Sequence, residues 1–273
     1  SLDIGVKIPY LFKSAIGSET TFKLFKQDSV FVNINFSERL FYQLNLSSNI
    51  GVSGIVQSSN FLLDDDSFLK TSYDDYSKIG VGLSYNYFVK HPFRLMEGKS
   101  YLNVLVNSIR KKEKNFSWTE DIENKTVNQY EIGLKTYRLF ELHPKHFIKG
   151  TVEFAGLLTK DDDFSENELY RIGGFGSIRG FNEESITANM YGIASMDYRF
   201  VPNEAFYIGL FADYAFIDNK RANINTSLLS LGTGISFLTK MGIFNLSYAV
   251  GKTEETSFDF KESKIHFGIL SQF

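Results

Sequence analysis

The chain has 273 residues, of which 43% are hydrophobic and 22% charged, so it can bury a core and is not a disordered polymer. Its net charge of −3 argues against a general nucleic-acid binder, which needs a basic face. Because the chain contains no cysteine, disulfide frameworks, thiolate metal sites and cysteine nucleophiles are excluded. The 27 Phe, 15 Tyr and 21 Gly against only 4 Pro favour strands and turns over helices.

The hydropathy of the chain excludes a membrane-spanning helix, because no window approaches about 18 consecutive apolar residues. The first residues, Ser1–Gly5, also lack the basic start and apolar run of a signal peptide. We therefore expect either a cytoplasmic protein or a processed or trimmed chain. A membrane β-barrel stays open as an interpretation, since its alternating strands average out to a modest hydropathy.

Large apolar residues alternate with small or polar ones along most of the chain. From Ile79 to Tyr87 the odd positions are apolar, and the even positions are Gly, Gly, Ser and Asn. A strand separates two such sets onto opposite faces, whereas a helix mixes them around its axis. The alternation recurs in residues 30–36, 102–107, 229–237 and 244–250 and predicts strands throughout.

Thirteen strands are predicted, and their connections alternate between short turns and long, mostly acidic loops. The predicted strands are 2–9, 18–27, 29–38, 42–57, 77–90, 99–112, 127–140, 146–160, 187–200, 203–216, 227–238, 241–252 and 262–273. The predicted short turns are 38–41, 91–99, 141–145, 202–203 and 240. The predicted long loops are 58–76, 112–126, 160–186, 218–225 and 253–263.

Short turns at one end and long loops at the other are typical of outer-membrane barrels. In a soluble barrel or sandwich, the small residues would not share one face with the charges; here they do, as a wet or plugged lumen requires. The predicted fold class is all-β: a transmembrane, antiparallel, up-and-down β-barrel. Complete single-chain bacterial barrels normally have an even number of strands and no exposed edge, so we expect about 14–16 strands when complete. At least one strand is then either missed or absent from this chain.

The longest predicted loop contains the most informative segment of the sequence, Arg171–Phe181, which is rich in glycine. Glycine allows positive φ and close approach of backbones. A phosphate-binding loop would be followed by a helix and would usually contain a lysine, whereas a strand follows here. A plain surface loop fits poorly with the apolar Ile178 and Phe181 on either side of Arg179 and Gly180.

This segment resembles the signature loop of the BamA/TamA superfamily of outer-membrane assembly and translocation barrels, whose relatives are the two-partner-secretion transporters and the mitochondrial sorting barrel. The family motif is a hydrophobic residue, Arg, Gly and an aromatic residue, after Gly-Gly and Ser. The matching residues here are Gly173, Gly174, Ser177, Ile178, Arg179, Gly180 and Phe181.

The resemblance implies that the loop folds into the lumen and that its arginine meets acidic residues on the following strands. Asp197 and Asp213 match those acidic positions. The alternation of apolar and polar residues independently places both carboxylates on the inner faces of adjacent strands. A contact between Arg179 and these aspartates is therefore predicted, either as a structural lock or as a functional latch.

The C-terminal part of the chain also fits the family, because five strands are predicted after the loop. His266, Gly268 and the terminal Phe273 are similar to the outer-membrane sorting signal, although Ser271 stands where an aromatic residue is commoner. Upstream, the family has more strands than the eight predicted here, and it has periplasmic domains that receive substrate. Residues 1–273 are therefore expected to be one outer-membrane barrel domain without a periplasmic substrate-binding domain, either truncated at the N-terminus or reduced in size.

No arrangement of residues indicates chemistry. The aspartate triplets 64–66 and 161–163 lack the ligand spacing of a dedicated calcium site, and no nucleophile elbow is present. We expect a protein that is not an enzyme and that needs neither a cofactor nor a metal.

The function implied by the resemblance is insertion or translocation of proteins at the bacterial outer membrane through a lateral seam. The implied partners are outer-membrane lipid, unfolded outer-membrane or secreted proteins, and periplasmic or lipoprotein subunits, but no nucleic acid. Two alternatives stay open. The barrel could be the membrane anchor or partner-binding part of a larger complex or fused enzyme, or it could be a simple pore.

Overall fold

The computed structural model describes residues 2–27, 30–62, 75–96, 98–114, 125–160 and 162–270. Within these ranges, the structure consists of strands with a few single turns of helix. The strands are β1 (Leu2–Ile8), β2 (Ile16–Gln27), β3 (Phe31–Asn45), β4 (Ser48–Phe61), β5 (Asp75–Lys90), β6 (Gly98–Lys114), β7 (Thr126–His143), β8 (His146–Thr159), β9 (Tyr170–Ile172), β10 (Ile186–Ala188), β11 (Met190–Asn203), β12 (Phe206–Asn219), β13 (Ile224–Thr239), β14 (Gly242–Thr253) and β15 (Lys264–Leu270).

Thirteen of these strands form one sheet, in the order β1-β2-β3-β4-β5-β6-β7-β8-β11-β12-β13-β14-β15. Apart from β9 and β10, which pair with each other, every strand lies beside its neighbours in the sequence. This is the up-and-down order that short antiparallel connections impose. The predicted class, an antiparallel up-and-down β-barrel, is confirmed, and the described residues contribute thirteen strands to it.

The predicted short turn at residues 38–41 is wrong. Strand β3 runs through it to Asn45, and the turn lies at Leu46 and Ser47. The charges at Glu38 and Arg39 suggested a turn, but partners satisfy them within the sheet. Glu38 accepts a hydrogen bond from Thr20. Arg39 donates to Ser84 and Asn49, at 2.6 Å in each case.

Two smaller differences concern the region around the long loop. Strand β11 continues through Pro202 to Asn203, so the turn falls at Glu204 and Ala205 instead of 202–203. The pairing register shifts between Phe200 and Asn203, and this irregularity accommodates the proline, which has no amide hydrogen to donate. The long loop between β8 and β11 also contains the β9–β10 ribbon, which the alternation of residues did not predict.

Contacts divide the chain into two compact units. The first comprises Ser1–Asn86, Val104–Gly133 and Gly156–Leu169, and the second comprises Tyr87–Asn103, Leu134–Ala155 and Tyr170–Phe273. Buried residues of the first unit include many polar side chains, such as Lys78, Lys111 and Glu168. The second unit has an apolar core built around the loop, with Ile172, Ile178, Ala188, Tyr191, Ile193, Ala215, Ile217 and Leu228.

The two faces of each strand differ in the way that the alternation predicts. On β12, Leu210 and Tyr214 are exposed, whereas Phe211 and Asp213 are buried. The face with exposed apolar residues suits contact with lipid, and the opposite face, here called the inner face, carries the long loop. Among the described residues, no helix is long and apolar enough to span a membrane.

Candidate functional site

The glycine-rich part of the long loop lies between β9 and β10, which pair with each other through residues such as Ile172 and Ile186. The glycine pair that follows β9 adopts positive φ, +117° at Gly173 and +87° at Gly174, a conformation that side chains with a Cβ rarely tolerate. The Gly173 amide donates a hydrogen bond to Ser177 Oγ at 2.7 Å. The Gly-Gly and Ser positions of the motif therefore form one tight turn, and the residues that follow it, Ile178 and Arg179, contact the sheet.

Arg179 lies against β11 and β12, and its guanidinium contacts both predicted aspartates. Nε is 2.8 Å from Asp213 Oδ2 and Nη2 is 2.5 Å from Asp213 Oδ1, while Nη1 is 2.8 Å from Asp197 Oδ1. The guanidinium also stacks on the ring of Phe211, 3.5 Å from its centroid. The pairing register places Asp197 opposite Phe211, so the three partners form one patch on the inner face.

Burial makes these contacts strong. The Asp213 side chain is fully buried, and Arg179 and Asp197 are 15% and 16% exposed. Burial disfavours the charge on Arg179, but hydrogen bonds to Asp213 and the charges of both aspartates outweigh it and raise the pKa of the arginine above its ordinary value. The group stays charged, and its planar fork matches the carboxylate of Asp213 in a bidentate contact.

The residues on either side of Arg179 fix the loop to the apolar core and to the last strands. Ile178 is fully buried in the core of the second unit. Gly180 has a φ of +83°, and a Cβ on it would lie 2.9 Å from the Gly251 nitrogen of β14. A Cβ on Gly251 would in turn lie 2.7 Å from the ring of Phe181. The Gly180 amide donates to Nε2 of His266, on β15, at 3.1 Å.

The residues predicted as a sorting signal therefore lie partly against the loop. His266 accepts the hydrogen bond from Gly180, and Gly268 lies beneath the ring of Phe175, at a distance of 3.5 Å from the position of a Cβ. Phe273 lies outside the described residues. Any role of these residues in sorting stays a prediction, whereas the contact between β15 and the loop was not foreseen from the sequence.

A second polar cluster, in the first unit, was also not predicted from the sequence. Glu168, which belongs to the same long loop, is buried between Lys78 of β5 and Lys111 of β6. The sequence signal was present, because a lysine at an inner position of a strand requires a buried partner. The sequence could not reveal which of 32 acidic residues was that partner.

The contacts of this loop are ion pairs, hydrogen bonds and close backbone approaches. In the part of the chain that the structure describes, no group of three or more His, Cys, Asp or Glu side chains is placed to hold a metal ion. The loop contacts strands from β11 to β15 through Asp197, Asp213, Ser230, Gly251 and His266. The arrangement holds a loop in place on the inner face of a sheet.

These features define an outer-membrane β-barrel that carries a long loop on the inner face of its sheet. Residues 113–273, more than half of the chain, match the Omp85 superfamily domain. The chain belongs to this superfamily, as the resemblance of the loop motif predicted, and its location is the bacterial outer membrane. No curated protein matches the chain.

Solved structures share the fold at low sequence identity. BamA from Haemophilus ducreyi lacking POTRA domains 1–3 has a TM-score of 0.66 and 14% identity over 97% of this chain and 60% of that one. CdiB from Acinetobacter baumannii has a TM-score of 0.52 and 13% identity over 97% and 55%. CdiB from Escherichia coli has a TM-score of 0.55 and 12% identity over 92% and 48%. The chain thus spans about half to three fifths of the chains to which it is similar.

Proposed function

We propose that this chain inserts proteins into the bacterial outer membrane, or translocates them across it, through a lateral seam between β1 and β15. Membership of the Omp85 superfamily and a fold shared with BamA and CdiB support this function. The substrates are unfolded outer-membrane or secreted proteins, and the accessory partners are periplasmic or lipoprotein subunits. The barrel contacts outer-membrane lipid. The proposed mechanism involves no enzymatic step, cofactor, metal or nucleic acid.

The physical basis is the cost of unpaired backbone groups in lipid. A strand that enters the membrane must satisfy its amides, and pairing with the edge of an existing sheet does so. Strands β1 and β15 are the two ends of the strand order that the described residues form. In this proposal these two strands form the seam, and an entering strand pairs with the edge that the open seam exposes.

The observation that carries the proposal is the hydrogen bond from the Gly180 amide to His266 on β15. The preceding residue, Arg179, fixes the loop to β11 and β12. The loop thus connects a firmly bound arginine to the terminal strand. We infer that the docked loop holds β15 in register, and that a change at the seam is transmitted to the loop through His266.

A vesicle assay tests this function directly. The chain is folded into phospholipid vesicles, a small urea-denatured outer-membrane barrel protein is added, and its folding is followed by heat-modifiable migration and protease protection. We expect faster folding of the substrate than in empty vesicles. An equal rate in both, with the chain itself folded, would overturn the insertion proposal.

A disulfide across the seam tests the lateral opening. Because the chain has no cysteine, Ile4→Cys on β1 can be combined with Ile265→Cys, Phe267→Cys or Ile269→Cys on β15. Oxidation of a pair that forms a crosslink is expected to stop substrate insertion, and reduction is expected to restore it.

The matched control for the crosslink is Leu210→Cys with Thr233→Cys, which face each other on β12 and β13, away from the seam. Its oxidation is expected to leave insertion unchanged. Full activity of the oxidised seam pair would contradict the lateral mechanism. Large, steady conductance steps without insertion would favour a simple pore instead.

A further inference from the structure

The long loop is buried at a second place, upstream of the Arg179 contact and within the first unit. In the segment Phe164–Leu169, every residue except Glu166 is buried, although the segment contains three polar or charged side chains among these residues. Phe164 and Leu169 are 1% and 6% exposed. A surface loop would leave such residues in solvent, so the segment is held in its position by specific contacts.

The strongest of these contacts belong to Glu168. Its Oε2 lies 2.8 Å from Lys78 Nζ and its Oε1 lies 2.9 Å from Lys111 Nζ. Gln129 of β7 donates a hydrogen bond to Oε2 at 3.1 Å. The Ser165 amide donates to Oε1 at 2.8 Å. Both carboxylate oxygens thus have at least two partners, contributed by three strands and by the segment itself.

The charges of the cluster balance. Lys111 Nζ also lies 2.7 Å from Glu113 Oε1, so two lysines face two glutamates, and no other charge is needed. The side chains of Lys78, Lys111 and Glu168 are at most 2% exposed. A buried ion that loses its partner is strongly destabilised, so each member depends on the others. Burial alone would raise the pKa of Glu168, but the two lysines hold it at about 2.

Asn167 adds neutral contacts on the adjacent strands. Its backbone carbonyl accepts hydrogen bonds from Asn33 Nδ2 at 2.6 Å and from the Tyr76 hydroxyl at 3.2 Å. Its side-chain amide donates to Ser59 Oγ at 2.6 Å. The segment is therefore bound to β3, β4, β5, β6 and β7, and none of these contacts involves the Arg179 motif.

We propose that Glu168 is a positioning residue that fixes the long loop at a second point, independent of the Arg179 contact. The anchor holds the arm of the loop that leads from β8 to β9. Its importance for insertion rests on the proposed function, whereas its effect on the loop does not. Loss of the anchor is expected to release Phe164–Leu169 while the strands of the barrel remain paired.

A cysteine reporter measures this release in the full chain. Ser165 is 1% exposed, so a thiol introduced by Ser165→Cys is protected as long as the segment is bound. Because the Ser165 hydroxyl accepts a hydrogen bond from Lys111 Nζ at 3.1 Å, every variant is compared with the Ser165→Cys chain itself. Labelling by a maleimide is followed in vesicles on barrels that still show heat-modifiable migration. We expect Glu168→Gln to raise the labelling rate by about tenfold or more, because it removes the charge from a buried pair.

Two matched variants complete the experiment. Asp163→Asn, in the same loop, removes an exposed pair with Lys125 and is expected to change labelling less than about twofold. Glu168→Lys is expected to release the segment at least as much as Glu168→Gln, because it places a third ammonium beside Lys78 and Lys111.

Unchanged labelling in Glu168→Gln barrels would overturn the anchor. If that variant does not form a barrel, Gln129→Leu decides, because it removes a single donor to Glu168 Oε2: raised labelling supports the anchor, and labelling equal to that of the Ser165→Cys chain overturns it. The assay contains no substrate, so an inactive insertion assay with an intact labelling response would reject the proposed function and not the anchor.

Discussion

The Arg179 guanidinium meets the Asp213 carboxylate edge to edge, with Nε 2.8 Å from Oδ2 and Nη2 2.5 Å from Oδ1. The backbone amide of the same arginine donates a third hydrogen bond to Oδ2 at 3.1 Å. The Asp213 side chain is fully buried while the loop is docked, and Arg179 donates three hydrogen bonds to it. Docking of the loop and burial of this carboxylate are therefore one linked event.

Removal of the Arg179 side chain should lower the stability of the barrel. We expect Arg179→Ala to lower the free energy of unfolding by about 3–5 kcal/mol, because Asp213 is then a buried charge without its partner. Arg179→Lys should recover only part, since an ammonium cannot form the bidentate contact. Urea unfolding in vesicles measures both. Lys125→Ala, which removes an exposed ion pair, is the control and should cost at most about 1 kcal/mol; equal losses for Arg179→Ala and the control would contradict the linkage.

The two aspartates should not be equivalent, although both contact Arg179. Asp213 is fully buried and accepts three hydrogen bonds from the arginine, whereas Asp197 is 16% exposed and accepts one. We expect Asp213→Asn to lower the free energy of unfolding by at least about 1 kcal/mol more than Asp197→Asn does. Because the two substitutions are chemically identical, each is the control for the other. A larger loss for Asp197→Asn would reverse the interpretation.

Two glycines of the loop should respond differently to alanine. A Cβ at Gly180, where φ is +83°, would lie 2.9 Å from the Gly251 nitrogen, whereas a Cβ at Gly176 would have no atom within 4 Å. We expect Gly180→Ala to lower the free energy of unfolding by about 2 kcal/mol or more. Gly176→Ala should change it by no more than about 1 kcal/mol. Similar values in the same urea titration would show that the backbone of Gly180 is not constrained.

The contact between the loop and β15 should depend on an acceptor at position 266. His266→Leu leaves the buried Gly180 amide without its acceptor, which should cost about 1–3 kcal/mol of unfolding free energy and slow substrate insertion in vesicles. His266→Gln retains an acceptor and should preserve most of the unfolding free energy and most of the insertion rate. If His266→Leu inserts substrate at the rate of the unmodified chain, the hydrogen bond between Gly180 and His266 does not influence the seam.

The stability of the barrel should depend on acid pH through Glu168. Its pKa in the folded chain is about 2 against an ordinary value of 4.5, because Lys78 and Lys111 favour the carboxylate more than burial disfavours it. A lowered folded pKa gives stability that is complete above the unfolded value and is lost as the pH falls through about 2. The shift corresponds to about 3 kcal/mol. We expect the difference in unfolding free energy between the unmodified chain and Glu168→Gln to be largest at neutral pH and to shrink below pH 4.5; a constant difference would contradict this origin.

Periodicity was sufficient for most of the fold. An alternation of apolar and polar residues specifies which side chains share a face, so all thirteen strands of the sheet were predicted in the right order. It failed at Glu38 and Arg39, where two charges suggested a turn inside β3. The partners that satisfy them, Thr20, Ser84 and Asn49, lie on three other strands and cannot be read from local sequence.

The loop motif allowed a specific prediction about Arg179 because its partners also follow the alternation. Asp197 and Asp213 stand at inner positions of adjacent strands, and the structure brings both to the guanidinium. Whether this contact has a role beyond stability stays a prediction. The order of the two partners by burial was not predictable, since it depends on how the loop covers them.

The sequence by itself determined the strands, their two faces, the family and the arginine that meets two carboxylates, because each of these depends on residue type at a short spacing. Only the tertiary structure decided that Glu168 lies between Lys78 and Lys111 and that Gly180 reaches His266. These contacts join residues that are far apart in the chain. Many lysines and glutamates satisfy the same chemistry, and the pairs that form are selected by the strand register and by the path of one long loop.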